Sequence, residues 1–549
     1  MEARSVTLTG AELVVEALEE LSADVVFGLP GVHNLALWRA LHDSPIRLVG
    51  VRHEQSAAYA ADGYARAGGR LGVALTTTGP GAANTLAAVG EAWAARQPVL
   101  VIATDVPTSV RRPGVWRGAL HEATDQAAMF APVVKQAVRV GKAEELRASV
   151  FRAGRTALAA PRRPVYLEVP TDLLESAVAD PGPGPAPLPG PGPADPQRVA
   201  EAAELVDHAR RPLVWAGGGA LAADAGGAVA ELAERLVAPV ILTYSARGLL
   251  PPEHPCLVTA PPHVPEVGAL WDEADCVVAV GTDFDGMMTQ GWKMPAPPRL
   301  VAVNVDSRDG SKNYLPDVLL EADAAEAVPL LAARIDSRGG LDSLDRRLRE
   351  LAGGVRRSLA QTDPEASEFL AAFTGAAGED AVVVCDMCIP GYWLGGFHFP
   401  SAPRRFSYPL GWGTLGCAFP QALGAALADA GPVVSVSGDG GFLYACGELA
   451  TAAQERIPLT AVVVDDGGYG MLRFDQSRRG DPTIGVDLHT PDFPALAGSF
   501  GVRAFAVEGL GANFGAALER HLRTDEPSLL VARAALGPPP SVSPRWYRR

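Results

Sequence analysis

Cysteine and lysine are scarce in this 549-residue chain, which contains six cysteines and only four lysines. So few cysteines in so long a chain argue against a disulfide framework. Cys385 and Cys388 form a spaced pair, but the second ligand pair that a zinc site needs is missing. None of the lysines lies in a Schiff-base or P-loop motif. These absences argue against four common chemistries.

The chain also lacks a long hydrophobic run and an excess of positive charge. No uncharged apolar stretch reaches the length of a membrane-spanning helix. The net formal charge is −16, which disfavours nucleic acid and anionic membranes as partners. The N-terminus leads directly into a helical pattern without a signal-peptide core. We expect a soluble, cytoplasmic protein with no membrane or nucleic-acid partner.

Hydrophobic patterning predicts an α/β protein with three doubly wound parallel-sheet domains. Residues 181–196 contain eight prolines and therefore predict an extended linker, and a charged helical connector is predicted near 342–371. The predicted boundaries are an N-terminal domain at 1–178, the linker at 179–197, a central Rossmann-like domain at 198–335, the connector at 336–375, a C-terminal domain at 376–536 and a tail at 537–549.

Two glycine–aspartate motifs predict a site for a metal ion and a diphosphate. Residues 438–441 read Gly-Asp-Gly-Gly, and Asp466 follows Asp439 by 27 positions. A predicted helix at 442–454 and a predicted strand at 459–464 separate the two aspartates. One such crossover places both carboxylates at the same edge of a parallel sheet. There they can share a Mg²⁺ ion, whose remaining ligands are typically phosphate oxygens.

Four ordered motifs accompany this pair. They read Val-Phe-Gly-Leu-Pro-Gly at 26–31, Val-Arg-His-Glu-Gln at 51–55, Ala-Ala-Asp-Gly-Tyr-Ala-Arg at 60–66 and Thr-Thr-Thr-Gly-Pro-Gly-Ala-Ala-Asn at 76–84. Together the motifs resemble the thiamine diphosphate (ThDP) enzymes related to the large subunit of acetolactate synthase. The resemblance covers almost the whole chain. It implies that the N-terminal domain binds the pyrimidine of ThDP and the C-terminal domain binds the diphosphate.

The resemblance also assigns roles to individual residues. Glu54 matches the acid that hydrogen-bonds the pyrimidine and activates the cofactor. Leu415 matches the residue that bends the cofactor, where methionine is commoner, and the Gly413 carbonyl accepts from the 4′-amino group. The other positions implied to contact the cofactor are Pro30, Gly31, Gly79, Asn84, Gly438, Gly440, Gly441, Tyr469, Gly470 and Met471.

The metal site departs from the usual family pattern. The resemblance implies that Asp439, Asp466 and the Gly468 carbonyl bind Mg²⁺. Where many relatives have two asparagines, this chain has Asp465 and Asp466. The added carboxylate places more negative charge beside the diphosphate, which puts cofactor affinity in doubt.

The fate of the substrate is less firmly indicated. In the family, a 2-oxo acid loses CO₂ to give an enamine, which is either protonated to an aldehyde or joined to a second carbonyl compound. Val32 stands where pyruvate decarboxylases have an aspartate, and His121 stands where acetolactate synthases have a glutamine. His33 and His121 are candidates for proton transfer. His121 could instead hold Glu122 or the backbone.

The sequence segments at 30–33, 117–126 and 485–493 resemble those of the 5-guanidino-2-oxopentanoate decarboxylase branch of this group. Asp475 stands where acetolactate synthases have a tryptophan. It could pair with a cationic substrate tail, or it could be a solvated residue bridged to Arg478 or Arg479. We therefore expect a ThDP- and Mg²⁺-dependent 2-oxo acid decarboxylase with Val32, His121 and Asp475 near the substrate. The alternatives are an acetolactate synthase-like carboligase and, more remotely, a ThDP-binding subunit without turnover.

Two further expectations concern a second cofactor and assembly. In the family the central domain sometimes holds FAD, and the glycine turn at 217–219 leaves this open. Residues 281–285 lack the arginine usually found just after this segment in FAD-containing synthases, so FAD is not expected. Because the cofactor-binding halves of relatives meet across a subunit interface, we expect a homodimer or homotetramer with a shared site.

Overall fold

A computed structural model describes residues 7–179 and 190–540. Most of the proline-rich stretch and the end of the predicted tail lie outside the described residues, so these two predictions stay untested. None of the described helices is long and apolar enough to cross a membrane.

The N-terminal domain is built around a six-stranded parallel sheet with strand order β3-β2-β4-β5-β7-β6. Its strands are β2 (Val25–Gly28), β3 (Arg47–Gly50), β4 (Gly72–Thr76), β5 (Val99–Asp105), β6 (Gln136–Arg139) and β7 (Val165–Pro170), and β1 (Leu8–Thr9) pairs antiparallel with β8 (Ala177–Val178). Its helices are α1 (Gly10–Glu20), α2 (Leu35–His42), α3 (Glu54–Gly68), α4 (Pro80–Ala83), α5 (Leu86–Ala94), α6 (Gln126–Phe130), α7 (Leu146–Leu158) and α8 (Thr171–Leu174), with 3₁₀ turns at Ala131–Val133 and Ala143–Glu145. The inner strands β2, β4 and β5 and their neighbour β7 are buried on both faces, as parallel strands covered by helices must be, whereas the outer strands β3 and β6 are partly exposed.

The central domain contains a five-stranded parallel sheet with order β10-β9-β11-β12-β13. Its strands are β9 (Pro212–Ala216), β10 (Val240–Leu242), β11 (Cys276–Val280), β12 (Leu300–Asn304) and β13 (Val318–Glu321). Its helices are α9 (Pro196–Asp207), α10 (Gly218–Ala222), α11 (Gly226–Leu236), α12 (Pro265–Glu273), α13 (Ser307–Ser311) and α14 (Ala324–Ala332), with a 3₁₀ turn at Tyr244–Ala246.

Two helices, α15 (Leu341–Thr362) and α16 (Pro364–Ala377), lead into the C-terminal domain. Its six-stranded parallel sheet has the order β15-β14-β16-β17-β19-β18. The strands are β14 (Val382–Cys385), β15 (Phe406–Ser407), β16 (Val433–Gly438), β17 (Thr460–Asp465), β18 (Arg503–Glu508) and β19 (Ser528–Arg533). The helices are α17 (Ile389–Phe397), α18 (Ala418–Ala426), α19 (Asp439–Phe442), α20 (Leu449–Glu455), α21 (Gly470–Arg479), α22 (Phe493–Ser499) and α23 (Ala512–Leu522), with a 3₁₀ turn at Cys446–Glu448.

The predicted fold class is confirmed, but two predicted helices are wrong in detail. The helix predicted over 442–454 is divided into α19, a 3₁₀ turn and α20. The predicted helical connector is also divided, between α15 and α16. The break falls before Pro364, which has no backbone N–H to continue the hydrogen-bond ladder.

The N-terminal and C-terminal domains of one chain share a continuous hydrophobic core. Helices α3 and α18 make its closest contact, because Gly63 and Gly424 let the two backbones touch. A Cβ at Gly63 would overlap the carbonyl oxygen of Gln421. The Gln421 amide donates to buried Asp62 at 2.7 Å, and Asp62 pairs with Arg66 at 3.0 Å. This contact holds the N-terminal and C-terminal domains in register.

Candidate active site

Glu54 is the first residue of α3 and is almost fully buried. The Asn84 side chain donates to Glu54 Oε2 at 2.9 Å, and Gly81 leaves space beside Oε1. The preceding loop is held from the C-terminal domain, where the Glu448 carboxylate accepts from the backbone N–H groups of Arg52 and His53 at 3.0 and 3.1 Å. Glu54 is therefore a buried carboxylate with a defined orientation at the N-terminus of a helix.

His33 and His121 come together from two loops that are far apart in sequence. Their rings are 5.4 Å apart in an edge-to-face arrangement. His121 has a left-handed backbone with φ of 66°, and its carbonyl group packs so tightly on Gly79 that any side chain there would overlap it. The loop of His33 is fixed by buried Asn34, which accepts from Gly31 N at 2.8 Å. Both imidazoles are half-buried.

Asp439 and Asp466 lie at the carboxyl ends of the neighbouring parallel strands β16 and β17. Three of their buried carboxylate oxygens, Asp439 Oδ1 and Oδ2 and Asp466 Oδ1, have no hydrogen-bond partner in the described part of the chain. Burial, together with the charges of Asp466 and Asp465, raises the pKa of Asp439 to about 7. Burial also raises the pKa of Asp466. Buried carboxylates without partners are unfavourable unless a cation joins them, and their donor chemistry fits Mg²⁺.

The glycines around these carboxylates are required by close approach. A side chain at Gly470 would overlap Asp466 Oδ2, and a Cβ at Gly440 would lie 2.6 Å from the Tyr469 ring. Gly468 has φ of 154° and packs directly on the Val486 carbonyl, whose oxygen accepts from Tyr469 N at 2.8 Å. The loop after β17 is thus shaped by close approach to the side chain of Asp466 and the backbone of Val486.

Leu415 and Gly413 belong to a turn between β15 and α18, and Leu415 is half-buried. The turn is held by Asp386, which accepts from Gly416 N at 2.9 Å. Asp386 is fully buried, and burial raises its pKa to about 6. Gly413 has φ of 65°, a conformation that favours glycine.

The remaining predicted cofactor positions lie at the carboxyl edges of the N-terminal and C-terminal sheets. Pro30, Gly31 and Val32 lie between β2 and α2, Gly79 and Asn84 flank α4, Gly438 ends β16, Gly441 lies in α19, and Met471 lies in the first turn of α21. The chain thus places one group of predicted residues in the N-terminal domain and the other in the C-terminal domain. Among the described residues, no hydrogen bond or ion pair joins one group directly to the other.

Comparison with known proteins agrees with this arrangement. Three family models match the chain: the N-terminal TPP binding domain of thiamine pyrophosphate enzymes at residues 8–129, their central domain at 199–331 and their C-terminal TPP binding domain at 390–532. A probable 2-ketoarginine decarboxylase of Pseudomonas aeruginosa is 37% identical over 525 residues, which cover 94% of this chain and 92% of that protein. The chain belongs to the thiamine pyrophosphate enzyme family.

Other relatives are named as acetolactate synthases. A probable acetolactate synthase large subunit of Methanocaldococcus jannaschii is 30% identical, over 90% of this chain and 87% of that protein. An acetolactate synthase of Mycobacterium bovis is 33% identical, over 90% of this chain and 83% of that protein. The predicted resemblance is confirmed, with thiamine pyrophosphate and thiamine diphosphate being two names of one compound.

Asp475 lies on α21 and is half-buried. Its carboxylate pairs with Arg478 at 3.4 Å, one of the two arginines considered from the sequence. Its charge also contributes to the raised pKa of Tyr392, which burial chiefly brings to about 12. Asp475 therefore has a protein partner but remains accessible on one side.

Several residues that shape this family site were not identified from the sequence. They are Asp386, which holds the Leu415 turn, Glu448, which holds the loop before Glu54, and the threonines Thr78 and Thr104 beneath His33. Asp386 lies between Cys385 and Cys388, and its position at the end of β14 is the signal that could have revealed it.

A cleft with a volume of about 800 Å³ lies elsewhere, at the junction of the three domains. The glycine turn at 217–219 borders it, but Gly217 and Gly219 are already packed against the backbone of Gly281 and its neighbour. Asp283 projects into the cleft and pairs with Arg96 at 2.8 Å and Lys312 at 2.7 Å. Close packing therefore explains this glycine turn without a nucleotide.

Proposed function

We propose that this protein is a ThDP- and Mg²⁺-dependent decarboxylase of a 2-oxo acid that releases an aldehyde. The observation that carries the proposal is the pair of buried, unpartnered carboxylates at one sheet edge, in a chain of the thiamine pyrophosphate enzyme family. When bound, ThDP supplies the thiazolium carbon that adds to the ketone and accepts the electrons released with CO₂.

Asp439, Asp466 and the Gly468 carbonyl would hold the Mg²⁺ ion and, through it, the diphosphate. Asp465 lies outside this set, at the end of β17. Its charge raises the free energy of the empty site and is offset when the cation binds. Leu415 would support the bend of the cofactor, since leucine has a volume similar to that of the methionine found in relatives.

Glu54 would hydrogen-bond the pyrimidine and activate the cofactor. Its burial keeps water away from that bond, and its bond from Asn84 fixes the direction of the carboxylate. His33 and His121 would transfer protons to and from the reacting substrate, because their rings lie together beside the Gly79 turn of the same domain.

We propose a 2-oxo acid with a cationic tail, such as 5-guanidino-2-oxopentanoate (2-ketoarginine), as the preferred substrate. The named activity of the Pseudomonas aeruginosa relative motivates this choice. Asp475 would bind the guanidinium group, taking the place of Arg478 as its cationic partner. Val32, which is 76% exposed, would then line the substrate side of the pocket.

A second candidate is an acetolactate synthase-like carboligase that joins two carbonyl compounds. The named acetolactate synthases that match about nine-tenths of the chain favour it. The two reactions share the cofactor, Glu54 and the metal site, and they differ only in whether a proton or a second carbonyl compound captures the decarboxylated substrate.

We propose a homodimer or homotetramer in the cytoplasm with the active site shared between subunits. Exposed apolar side chains surround both groups of cofactor residues, as expected of surfaces that face a partner. They are Val32 and Leu120 on the N-terminal domain and Leu472, Phe474 and Ile484 on the C-terminal domain. We also propose that FAD is absent, which the absorbance spectrum of the purified protein would test.

The first test is product analysis with ThDP, Mg²⁺ and a panel of 2-oxo acids, including pyruvate and 5-guanidino-2-oxopentanoate. We expect the wild-type protein to release CO₂ and an equimolar amount of aldehyde, with the highest rate for the guanidino acid. The E54Q variant should release no CO₂. A joined hydroxy-keto product would establish the carboligase instead, and full activity of E54Q would contradict the assignment of Glu54.

D475N and R478A distinguish the role of Asp475 in the same assay. Loss of the Asp475 charge should raise KM for the guanidino acid about tenfold but leave pyruvate unchanged. R478A removes the same ion pair while keeping the carboxylate, so it should retain the preference for the guanidino acid. Equal losses for both substrates in D475N would rule out substrate pairing.

A further inference from the structure

His33 is connected to the centre of the N-terminal sheet by a row of hydroxyl groups. Its Nδ1 lies 2.8 Å from Thr78 Oγ1, and Thr78 Oγ1 lies 2.9 Å from Thr104 Oγ1. Both threonines are fully buried at the carboxyl ends of β4 and β5. Buried Gln126 holds the same two strand ends, accepting from Gly79 N at 2.6 Å and donating to the Thr104 carbonyl at 3.0 Å. The row therefore rests on a rigid base.

The arrangement leaves one ring nitrogen of His33 available for proton exchange. A protonated imidazole donates from Nδ1 to Thr78, and the neutral tautomer with hydrogen on Nδ1 donates to it in the same way. The Thr78 hydroxyl can pass its own hydrogen on to Thr104. With His33 as the donor in this row, Nδ1 remains bonded in both states, so gain and loss of a proton occur at Nε2, on the other side of the ring.

The charged and titratable groups that act on His33 come from two other segments of the N-terminal domain. His121 approaches its ring from the loop before α6, and Asp105 lies beneath it at the end of β5. Burial and the neighbouring His121 lower the pKa of His33, while Asp105 opposes this effect. Asp105 is itself paired with Arg111. The net effect is a lowered pKa, so the neutral ring is favoured at neutral pH and the protonated ring gives up its proton readily.

We propose that Thr78 is a positioning residue that orients His33 so that its Nε2 delivers the proton completing the aldehyde. This inference rests on the proposed decarboxylase function. The overall reaction is R–CO–COO⁻ + H⁺ → R–CHO + CO₂. The carboxyl carbon leaves as CO₂, the Nε2 proton becomes the aldehyde hydrogen, and His33 regains a proton from solvent. Release of CO₂ precedes this proton transfer and does not need Thr78.

The test compares T78V, T78S and T76V on 5-guanidino-2-oxopentanoate. T78V keeps the shape of the side chain but removes the hydroxyl, and T78S keeps the hydroxyl. Thr76, the last residue of β4 and two positions before Thr78, is a matched control, because its buried hydroxyl has no hydrogen-bond partner in the described chain. We expect T78V to slow aldehyde release about tenfold, the effect of one hydrogen bond, while first-turnover CO₂ release is unchanged. T78S and T76V should behave as wild type.

A second readout does not depend on turnover. Nitrogen-15 histidine spectra of the cofactor-free protein report which ring nitrogen of His33 carries the hydrogen. Wild type, T78S and T76V should show hydrogen on Nδ1, and T78V should lose this preference. Equal loss of CO₂ and aldehyde in T78V, or an unchanged tautomer, would overturn the proposal. If wild type releases no CO₂ from any 2-oxo acid, the proposed function fails, and the spectra still decide whether Thr78 orients His33.

Discussion

At the scale of single residues, the carboxylates at the ends of β16 and β17 carry buried oxygens without hydrogen-bond partners in the described chain. Asp439 is fully buried, with both side-chain oxygens unpartnered in the described chain. A carboxyl whose pKa is raised by folding binds its proton more tightly in the folded than in the unfolded protein. Its contribution to stability is therefore lost as the pH rises from about 4, the unfolded value, towards about 7, the folded value. A bound cation would restore that stability.

Cofactor affinity should accordingly depend on pH. Below pH 7 the metal must displace a proton from Asp439, so Mg²⁺-dependent ThDP binding should be about tenfold weaker at pH 6 than at pH 8. Calorimetric titration at several pH values measures this. Since the diphosphate also takes up protons, D465N is the control: removing a charge that raises the pKa of Asp439 should move the midpoint to lower pH. Equal midpoints for D465N and wild type would contradict the prediction.

At the scale of secondary structure, the contact of α3 with α18 positions the two cofactor-binding domains within one chain. The contact depends on glycine, because a Cβ at Gly63 or Gly424 would overlap a backbone carbonyl of the opposite helix. The buried Asp62 and Arg66 pair beside it restricts the helices to one register. Such a contact is easily disrupted by a single added methyl group.

G63A should destabilise the protein by about 1–3 kcal/mol, because the added methyl forces the two helices apart. Thermal and denaturant unfolding would measure the loss. Gly375 provides the matched control, since it lies inside α16 with nothing within 4 Å of an added Cβ. G375A should stabilise the protein by up to about 1 kcal/mol, the usual difference between glycine and alanine in a helix. Equal effects of both variants would show that the α3–α18 contact tolerates separation.

At the scale of the whole molecule, the two groups of predicted cofactor residues lie on separate domains, each bordered by exposed apolar side chains. This arrangement is the basis for proposing a site shared between subunits. The three domains also surround a common cleft. Across it, the ion pairs of Arg96 with Asp283 and Asp309 link the N-terminal domain to the central domain.

Complementation between two inactive variants tests the shared site. E54Q damages the N-terminal half and D439N the C-terminal half. If each site takes one half from each subunit, random mixing in a dimer leaves about a quarter of all sites intact. Co-expression of the two variants should then recover about that fraction of wild-type activity. If both halves come from one chain, every site stays damaged, and the mixture should be as inactive as the single variants.

Several elements could be predicted because their signal is local. The strand predicted at 459–464 is observed as β17, shifted by one residue, since buried parallel strands read as short continuous apolar runs. The helix at 442–454 could not be predicted correctly, because its division depends on a distant contact. Glu448 sits at the break and turns its carboxylate to the backbone N–H groups of Arg52 and His53. The predicted domain boundaries and site roles stay predictions.

The sequence by itself determined the family, the three-domain α/β class and the placement of Asp439 and Asp466 at one sheet edge. These follow from motifs and from a single helix crossover, whose geometry is local. Only the tertiary structure decided that His33 meets His121, that Thr78 and Thr104 support His33, and that Asp475 pairs with Arg478. The histidine and threonine contacts join loops and strand ends distant in sequence, so they depend on how the sheet aligns its edges. From the sequence, Asp475 could pair with either Arg478 or Arg479 on the same helix, and the structure shows the pair with Arg478.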